Sequence, residues 1–396
     1  MSVNVSTIGS DPTRDYSAVS GWEAGQRGNF VTGTVIERGD MYNDSQLDDA
    51  VGFSASTTSA LYYWLLRTPA DERHDGTKDS GARIEYDGAF GETIDVQDDY
   101  WRIEGVEIHS GSSEHSSHEA IKVQSVGSNT DIRIEKCLIC GENDSSSRGI
   151  EINDSTATVK ISNNFIYDID TSNGVGILVT DAATVYAYHN SILDMKYGIQ
   201  RVAGTVIAKN NAVFDCATAN FTGTFHADSD YNCCSDTSAP GSNSKNSKTA
   251  SDNFTSVTAG SQNLHVKDNT ADIYFAGKDL ATDTYPILDD IDDNTRTTYD
   301  IGADEYSPGA ASQALILAKK YYSIHKVGLT YVRADCELVD MMSDLGDVCT
   351  IQTGNPAISF TKALIFKVER TFGGKNRIRV HCLTGGWLWD EDGAWS

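Results

Sequence analysis

The stretch "VKISNNFI", residues 159–166, decides the fold because four other stretches align with it without a gap. They are "WRIEGVEI" from 101, "IRIEKCLI" from 132, "VYAYHNSI" from 185 and "VIAKNNAV" from 206, so successive starts differ by 31, 27, 26 and 21 residues. Equal columns repeat apolar side chains: the third column reads Ile103, Ile134, Ile161, Ala187 and Ala208, and the eighth reads Ile108, Ile139, Ile166, Ile192 and Val213. Such a period is typical of a solenoid, in which each repeat buries its apolar face against its neighbours.

A second short segment follows each of several repeats, as "EAIKVQ", "RGIEIN", "VGILVT" and "YGIQRV". Two short strands per repeat, with no helical pattern between them, predict an all-β protein built on a right-handed, single-stranded parallel β-helix. We expect the β-helix over residues 31–306, after an N-terminal strand and helical cap over residues 1–30. In that cap, Ser17 is the expected N-cap of a helix carrying Val19 and Trp22.

Asparagines cluster in two neighbouring columns of the alignment. The fifth column reads Gly105, Lys136, Asn163, His189 and Asn210, and the sixth reads Val106, Cys137, Asn164, Asn190 and Asn211. Asparagine is a poor strand residue but adopts left-handed backbone conformations readily, and its amide can bond to an equal amide in the next coil. We therefore predict a corner between two strands and a structural ladder formed by Asn163, Asn164, Asn190, Asn210 and Asn211.

The last ninety residues differ in composition from the repeats. "SPGAASQ" begins a linker expected over residues 307–314, and a small β-rich domain is expected over residues 315–396. Within it, "ALILAKKYYSIH" predicts a short helix, and "LGDVCTIQTG", "TKALIFKVERTF" and "NRIRVHCLTG" predict strands, with "GGKN" as a hairpin signal. Its basic residues contrast with the acidic repeats, which favours docking to an acidic partner surface.

The net charge of −26 over 396 residues argues against binding to nucleic acids or to anionic membranes. The N-terminus lacks the pattern of a secretory signal, and no apolar stretch is long enough to span a bilayer, so we expect synthesis in a cytoplasm and no membrane insertion. Cys137 and Cys140 form a CxxC pair, but residues three apart in a strand face opposite sides. We therefore expect buried free thiols there.

The segment "ILDDIDDNTRTTYDIGADEYSPG", residues 287–309, together with the columns, resembles the end of the β-helix in pectate-lyase-like proteins of bacteria and tailed phages. The shared features are an Asp-rich turn, Arg296 and "DIGADE" at residues 300–305. The C-terminal "LGDVCTI" pattern is also similar to a small β-domain of phage tail-tip proteins. These resemblances imply a virion location, other virion proteins as partners of the C-terminal domain, and a homotrimer.

Candidate site residues fall into three groups. Asp168, Asp194 and Asp215 follow successive strands at equal offsets, and stacked carboxylates could hydrolyse a glycoside or bind a cation, although aspartate after a strand is also a common turn residue. The loop "IHSGSSEHSSHEA" and the strand before it offer a ligand-binding set: Trp101, His109, Glu114, His115 and His118. Asp289, Asp292 and Asp293 in the Asp-rich turn are candidate ligands for Ca²⁺. The alternative is that the protein has no cofactor.

Two functions follow from this reading. The first is a non-enzymatic component of a phage virion, such as a tail fibre, tail tip or decoration protein, that binds a host surface polysaccharide or another virion protein. The second is a polysaccharide-degrading tailspike or secreted β-helix lyase or hydrolase that uses carboxylates on the solenoid face.

Overall fold

The structure is a computed structural model that describes residues 2–86, 91–110, 118–127, 130–141, 147–169 and 172–306, and the backbone of four strands beyond residue 328. The chain divides into two compact units, residues 1–306 and 307–396. None of the helices in the described part is long and apolar enough to cross a membrane.

Three long sheets form the first unit, and all strand pairs within them are parallel. Sheet 1 consists of β1 (Ser2–Ile8), β2 (Val35–Met41), β5 (Trp64–Arg67), β8 (Tyr100–Glu104), β11 (Asp131–Glu135), β14 (Thr158–Ser162), β17 (Thr184–Tyr188) and β20 (Thr205–Lys209). Sheet 2 consists of β3 (Leu47–Asp48), β6 (Arg83–Glu85), β9 (Glu107–Ser110), β12 (Leu138–Gly141), β15 (Phe165–Tyr167), β18 (Ser191–Leu193), β21 (Ala212–Phe214) and β23 (Cys233–Cys234). Sheet 3 consists of β4 (Val51–Phe53), β7 (Gly91–Val96), β10 (His118–Gln124), β13 (Arg148–Asn153), β16 (Val175–Val179), β19 (Tyr197–Arg201) and β22 (Ala219–Thr222).

Consecutive strands such as β8, β9 and β10 enter the three sheets in turn, and we call each such triplet a coil. This all-β stack is consistent with the predicted parallel β-helix. The register confirms the column alignment, since Trp101 pairs with Ile132, Ile132 with Val159, and Val159 with Val185. Each repeat has three strands rather than the expected two. The eight-residue stretch bends at its fifth column and so forms two strands instead of one.

That bend has a left-handed backbone in every repeat. The fifth-column residues Gly105, Lys136, Asn163, His189 and Asn210 have φ values of 69°, 58°, 56°, 54° and 56°. Asparagine and glycine tolerate this conformation best, whereas lysine and histidine adopt it at a cost. The corner therefore lies at the column that the asparagines predicted.

The sixth column forms a buried amide ladder. Asn164 Nδ2 and its backbone N–H both donate to Oδ1 of Asn190, at 2.9 and 3.2 Å. Asn190 repeats the pattern on Asn211, and Asn211 repeats it on Asn232. Asn163 and Asn210, one position earlier, take no part in these rungs: their side chains bond to Asp289 O and Lys278 O of a segment from the end of the unit.

A glycine column in sheet 3 sets the distance between coils. A Cβ on Gly149 would lie 2.6 Å from Gly176 O, and a Cβ on Gly176 would lie 2.7 Å from Gly198 O. Where the second segment "EAIKVQ" has Ala120, the three later ones, "RGIEIN", "VGILVT" and "YGIQRV", carry these glycines. Glycine is required there because the backbone of the next coil occupies the space of a side chain.

Aromatic side chains fill the N-terminal end of the stack. Trp22 on α1 (Val19–Gln26) meets Phe53 and Trp64 edge to face, with ring centroids 6.0 and 5.0 Å apart. The N-cap of α1 is Ala18, so the prediction of Ser17 is wrong. Asp49 satisfies the first turn from outside the helix by accepting hydrogen bonds from the backbone and side chain of Ser20. The short helix α2 (Phe30–Gly33) follows.

A second core lies outside sheet 2. After α3 (Ala250–Asn253) and the antiparallel pair β24 (Phe254–Ser256) and β25 (Asn263–Val266), residues 267–306 form no further strand or helix among the described residues. This closing segment, residues 267–306, and the hairpin before it cover the outward side chains of sheet 2. Members of this core from both layers are Phe165, Tyr167, Leu193, Phe214, Phe254, Leu264, Ile273, Ile291 and Ile301.

The second unit contains an antiparallel sheet in the order β26-β29-β28-β27. Its strands are β26 (Leu329–Glu337), β27 (Val348–Cys349), β28 (Ala363–Thr371) and β29 (Arg377–Gly385). β27, β28 and β29 lie within the three predicted strand segments, whereas β26 lacked a clear signal. The predicted linker and the predicted helix in "ALILAKKYYSIH" lie outside the described residues.

Candidate functional site

A column of chemically reactive side chains stands on the outer face of sheet 2. Glu85 pairs with His109, His109 pairs with Cys140, and Cys140 pairs with Tyr167 across β6, β9, β12 and β15. Parallel strands lie about 4.8 Å apart, so these side chains stack in contact. The column follows the inward-facing eighth column by one residue, which turns it outward.

The loop of residues 72–82 covers this column. Glu107, two residues before His109 on β9, is fully buried and accepts hydrogen bonds from the backbone N–H groups of Asp79 and Gly81 at 2.6 and 3.0 Å. Gly81 is required at this contact, because a Cβ would lie 2.3 Å from His74 N. As a result, His109 is 1 % exposed, Cys140 is fully buried, and Glu85 at the rim is 9 % exposed.

His109 lies between two carboxylates and a thiol. Its Nε2 is 2.7 Å from Oε1 of Glu107, which accepts a hydrogen bond from it. Its Nδ1 is 3.4 Å from Oε2 of Glu85 and has no hydrogen-bond partner, although it is buried. Ligand atoms of Glu107, His109 and Cys140 lie within 4.8 Å of one another. We call Glu85, Glu107, His109 and Cys140 the His109 cluster.

Burial opposes a charge on His109, but contacts with Cys140, Glu107 and Glu85 outweigh burial and raise the pKa of the imidazole. Burial raises the pKa of the Cys140 thiol despite the neighbouring imidazole. The pKa of Glu107 is lowered, because hydrogen bonds from His109, Asp79 and Gly81 outweigh its burial. The carboxylates of Glu85 and Glu107 thus favour a proton on His109, and burial favours the neutral form of the Cys140 thiol.

Cys137 and Cys140 separate as the strand pattern predicts. Cys137 belongs to the core inside the stack, and Cys140 belongs to the core outside sheet 2. Both are buried free thiols. Of the two thiols, only Cys140 belongs to the His109 cluster, so the pair does not form a shared site.

A second group near this face consists of His265, Asp292 and Asp304, whose ligand atoms also lie within 4.8 Å of one another. Both ring nitrogens of His265 are occupied, at 2.6 Å from Asn263 Oδ1 and 3.0 Å from Asp292 Oδ2. Asp304 accepts a hydrogen bond from Val266 N at 2.7 Å. Existing hydrogen bonds thus account for this group.

The Asp-rich turn proposed for Ca²⁺ directs its carboxylates at different protein cations. Lys136 Nζ contacts Oδ2 of Asp289 at 2.7 Å and also Oδ1 of Asp293. Arg73 contacts the other oxygen of Asp293 at 2.9 Å, while Asp292 pairs with His265. These contacts join the turn to the corner of the stack and neutralise its charge.

The aspartates at the expected catalytic column occupy a second left-handed corner. Asp168, Asp194 and Asp215 have φ values of 59°, 59° and 54°. Oδ1 of Asp168 accepts a hydrogen bond from Gln262 at 2.8 Å. Burial and the charge of Asp194 raise the pKa of Asp215. Aspartate tolerates this backbone conformation, which supplies a structural reason for the column.

The ligand-binding set does not come together as one surface. Trp101 is fully buried in the inner core, 5.3 Å from Phe53 between ring centroids, so its ring cannot meet a glycan. Its alignment with Ile132 and Val159 already indicated an inward position. His118 is fully buried on β10, His109 belongs to the cluster on sheet 2, and Glu114 and His115 lie outside the described residues.

Sheet 3 carries a carboxylate pair that sequence reasoning did not single out. Glu119 and Glu151 share a hydrogen bond, and Arg148 Nη1 contacts both, at 2.8 Å for Glu151. Burial and the contact with Glu119 raise the pKa of Glu151, against the opposing charge of Arg148. The strand register, which brings residues 119 and 148 opposite each other, is the signal that could have found this pair.

Sheet 1 carries a row of cations from three successive coils. Arg102 pairs with Arg133, and Arg133 pairs with Lys160. One carboxylate, Asp131, contacts all three at 3.5, 2.8 and 2.6 Å. The guanidinium of Arg102 stacks 3.7 Å from the ring centroid of Tyr63. All three cations remain partly exposed, by 18–29 % of their side chains.

Comparisons of the chain with protein-family models, with curated proteins and with solved structures find no match.

Proposed function

We propose that the protein is a non-enzymatic structural or adhesion component of a phage virion that binds an acidic cell-surface glycan along sheet 1. The observation that carries the glycan part of this proposal is the row of Arg102, Arg133 and Lys160 on a chain whose net charge is −26, whereas the virion location rests on the resemblance of residues 287–309 and of "LGDVCTI" to phage proteins. A regular spacing of about 4.8 Å between the cations suits a repeating ligand better than a single small molecule.

The chemistry of the row fits carboxylate-bearing sugars. Guanidinium groups bind carboxylates through two parallel hydrogen bonds and stack on flat rings. Nε of Arg102 is buried without a hydrogen-bond partner, and Asp131 is one carboxylate among three cations. The neighbouring Glu104 and Glu135 have partners of their own, Arg73 and the Tyr285 hydroxyl.

The binding test uses purified full-length protein and polysaccharides of matched length with and without carboxylates. We expect salt-sensitive binding to the acidic polymer, and at least a tenfold loss of affinity in the double variant Arg102→Gln/Lys160→Gln. Lys248→Gln, which removes a partly exposed cation that pairs with Asp272, is the control. Equal binding to both polymers, or an unchanged affinity of the double variant, would contradict glycan binding by this row.

The virion location is tested separately. Antibodies against the protein should label intact phage particles, and the protein should sediment with them. After mild dissociation of the particles, the released protein should be a homotrimer. Truncation after Tyr306 should abolish incorporation into particles if residues 307–396 bind other virion proteins. A protein found only in the soluble lysate would refute the location without affecting the glycan proposal.

The second candidate function, polysaccharide degradation, is favoured by the Glu119–Glu151 pair. Two carboxyl groups, one with a raised pKa, can divide the roles of acid and base in glycoside hydrolysis. New reducing ends or unsaturated products from host glycans would show such activity. Loss of this activity in Glu151→Gln, with retention in Asp95→Asn on β7 beside the strand of Glu119, would assign the activity to this pair. Loss in Asp168→Asn and Asp194→Asn would assign it to the corner aspartates instead.

A further inference from the structure

We propose that the His109 cluster is a binding site for Zn²⁺ or a similar thiophilic divalent cation, with His109 Nδ1, Cys140 Sγ and Glu85 Oε2 as ligands. This inference does not depend on the proposed function. Imidazole, thiolate and carboxylate together are a ligand set that zinc accepts, whereas calcium takes oxygen ligands.

The separation of His109 Nδ1 and Glu85 Oε2 fits two ligands of one tetrahedral ion. Two nitrogen or oxygen ligands, each 2.0–2.2 Å from zinc, lie about 3.3 Å apart in a tetrahedral site. His109 Nδ1 and Glu85 Oε2 are 3.4 Å apart. Cys140 pairs with His109 from the strand opposite that of Glu85, and its sulfur lies within 4.8 Å of ligand atoms of His109 and Glu107, so we assign it as the third ligand. Three protein ligands leave the fourth position to water.

Glu107 has the position of an orienting group. A metal-bound histidine normally donates its second ring N–H to a carboxylate, which fixes the ring and its tautomer. Glu107 Oε1 lies 2.7 Å from His109 Nε2 and is itself held by the backbone of Asp79 and Gly81. This leaves Nδ1, the ring nitrogen that is buried without a hydrogen bond, directed at Glu85.

Burial of the cluster should slow the release of a bound ion. Binding of the ion is coupled to the release of protons from its ligands. All four residues are at most 9 % exposed, and the rim is at Glu85. Binding of the cation displaces one proton from His109 Nδ1 and one from the Cys140 thiol, and both protons pass to solvent. The resulting thiolate and carboxylate charges are matched by the divalent ion.

The test begins with full-length protein that has been stripped with a chelator and titrated with Zn²⁺ against a chromophoric competitor. We expect tight binding in the wild type and at least a tenfold loss of affinity in Cys140→Ser and in Glu85→Gln. Cys137→Ser, which removes the other thiol of the CxxC pair, is the matched control and should bind as the wild type does. Circular dichroism checks that each variant is folded.

Substitution with Co²⁺ gives a direct spectroscopic readout of thiolate ligation in the wild type and in the folded variants. The wild type should show a thiolate-to-cobalt charge-transfer band, and this band should disappear in Cys140→Ser while it persists in Glu107→Gln at about 10–100-fold weaker affinity. Absence of the band from the wild type, or its persistence in folded Cys140→Ser, would overturn the proposal, because the chain has other cysteines that could bind the ion.

Discussion

Arg296 Nη2 donates a hydrogen bond to Oδ1 of Asn163 across 2.9 Å and so joins the closing segment to a corner of the stack 133 residues earlier. The arginine is almost fully buried, and the same nitrogen also donates to the carbonyl groups of Gly302 and Ala303. Glu305 lies 3.5 Å from its Nη1 and accepts backbone hydrogen bonds from the turn that precedes it. The Asp-rich turn and "DIGADE" are thus one folded unit around Arg296.

Arg296→Met should destabilise the first unit by about 3–5 kcal/mol, because it leaves Glu305 buried without its cation and several carbonyl groups without donors. Urea unfolding measures the free energy, and hydrogen exchange should show faster exchange of the backbone N–H groups in residues 289–305. In the control Lys248→Met, the ion pair is about one-third exposed on each side, so the cost should be at most about 1 kcal/mol. Equal costs for the two variants would contradict this account.

The glycine column predicts a position-specific effect of one methyl group. In Gly176→Ala the new Cβ would meet Gly198 O and Met195 Sδ, both at 2.7 Å, so we expect a loss of about 1–3 kcal/mol in stability. Gly52→Ala is the matched control in the same sheet, since nothing lies within 4 Å of its Cβ position. The control should change stability by less than about 1 kcal/mol, with stabilisation the expected direction. Thermal unfolding of both variants provides the measurement.

The amide ladder should be sensitive to removal of any internal rung. Asn190→Ala removes the acceptor of both donors of Asn164 and the donor to Ile161 O, and all of these groups are buried. Because unsatisfied buried groups cost about 1–3 kcal/mol each, we expect a loss of at least about 2 kcal/mol in urea unfolding. Asn269→Ala, at an exposed position, should stay within about 0.5 kcal/mol. A small effect of Asn190→Ala would show that water replaces the rung.

Asp300 should make stability depend on pH in an unusual direction. Burial and the charge of Glu305 raise the pKa of Asp300 from 3.8 to about 7. The folded state therefore binds a proton that the unfolded state releases, and the stabilisation is full below about pH 4 and is lost as pH rises to about 7. Asp300→Asn cannot titrate, so the stability of the wild type relative to this variant should fall over that range. Urea unfolding at several pH values tests the trend, and a difference that grew with pH would contradict it.

The columns of the sequence predicted the interior well, because every coil repeats the same contacts with its neighbours. Ile103, Ile134 and Ile161 stack as the alignment requires, and the corner falls at the asparagines. The outward-facing column of Glu85, His109 and Cys140 was equally regular in position, but its residue types change from coil to coil. Periodicity therefore located these side chains without indicating that they form one site.

The closing segment could not be placed from the sequence. Residues 267–306 have neither a strand period nor a helical period, and their partners are far away in the chain. The sequence predicts Asn163 as a rung because its neighbour Asn164 is one. In the structure, the amide of Asn163 instead accepts a hydrogen bond from Arg296 and donates one to Asp289 O. Likewise, Trp101, which we expected at a ligand surface, lies in a column that is apolar throughout and is fully buried.

The ladder of Asn164, Asn190, Asn211 and Asn232 also fixes the unit by which such a chain can change in length during evolution or engineering. Each rung accepts from the coil before it and donates to the coil after it, so all four amides are oriented in the same sense. After removal or duplication of one whole coil, the amide donor of one rung again meets the amide acceptor of the next. The common orientation of the amides is therefore preserved. Insertions of any other length are confined to the loops between strands, where the repeats of this sequence already differ in length.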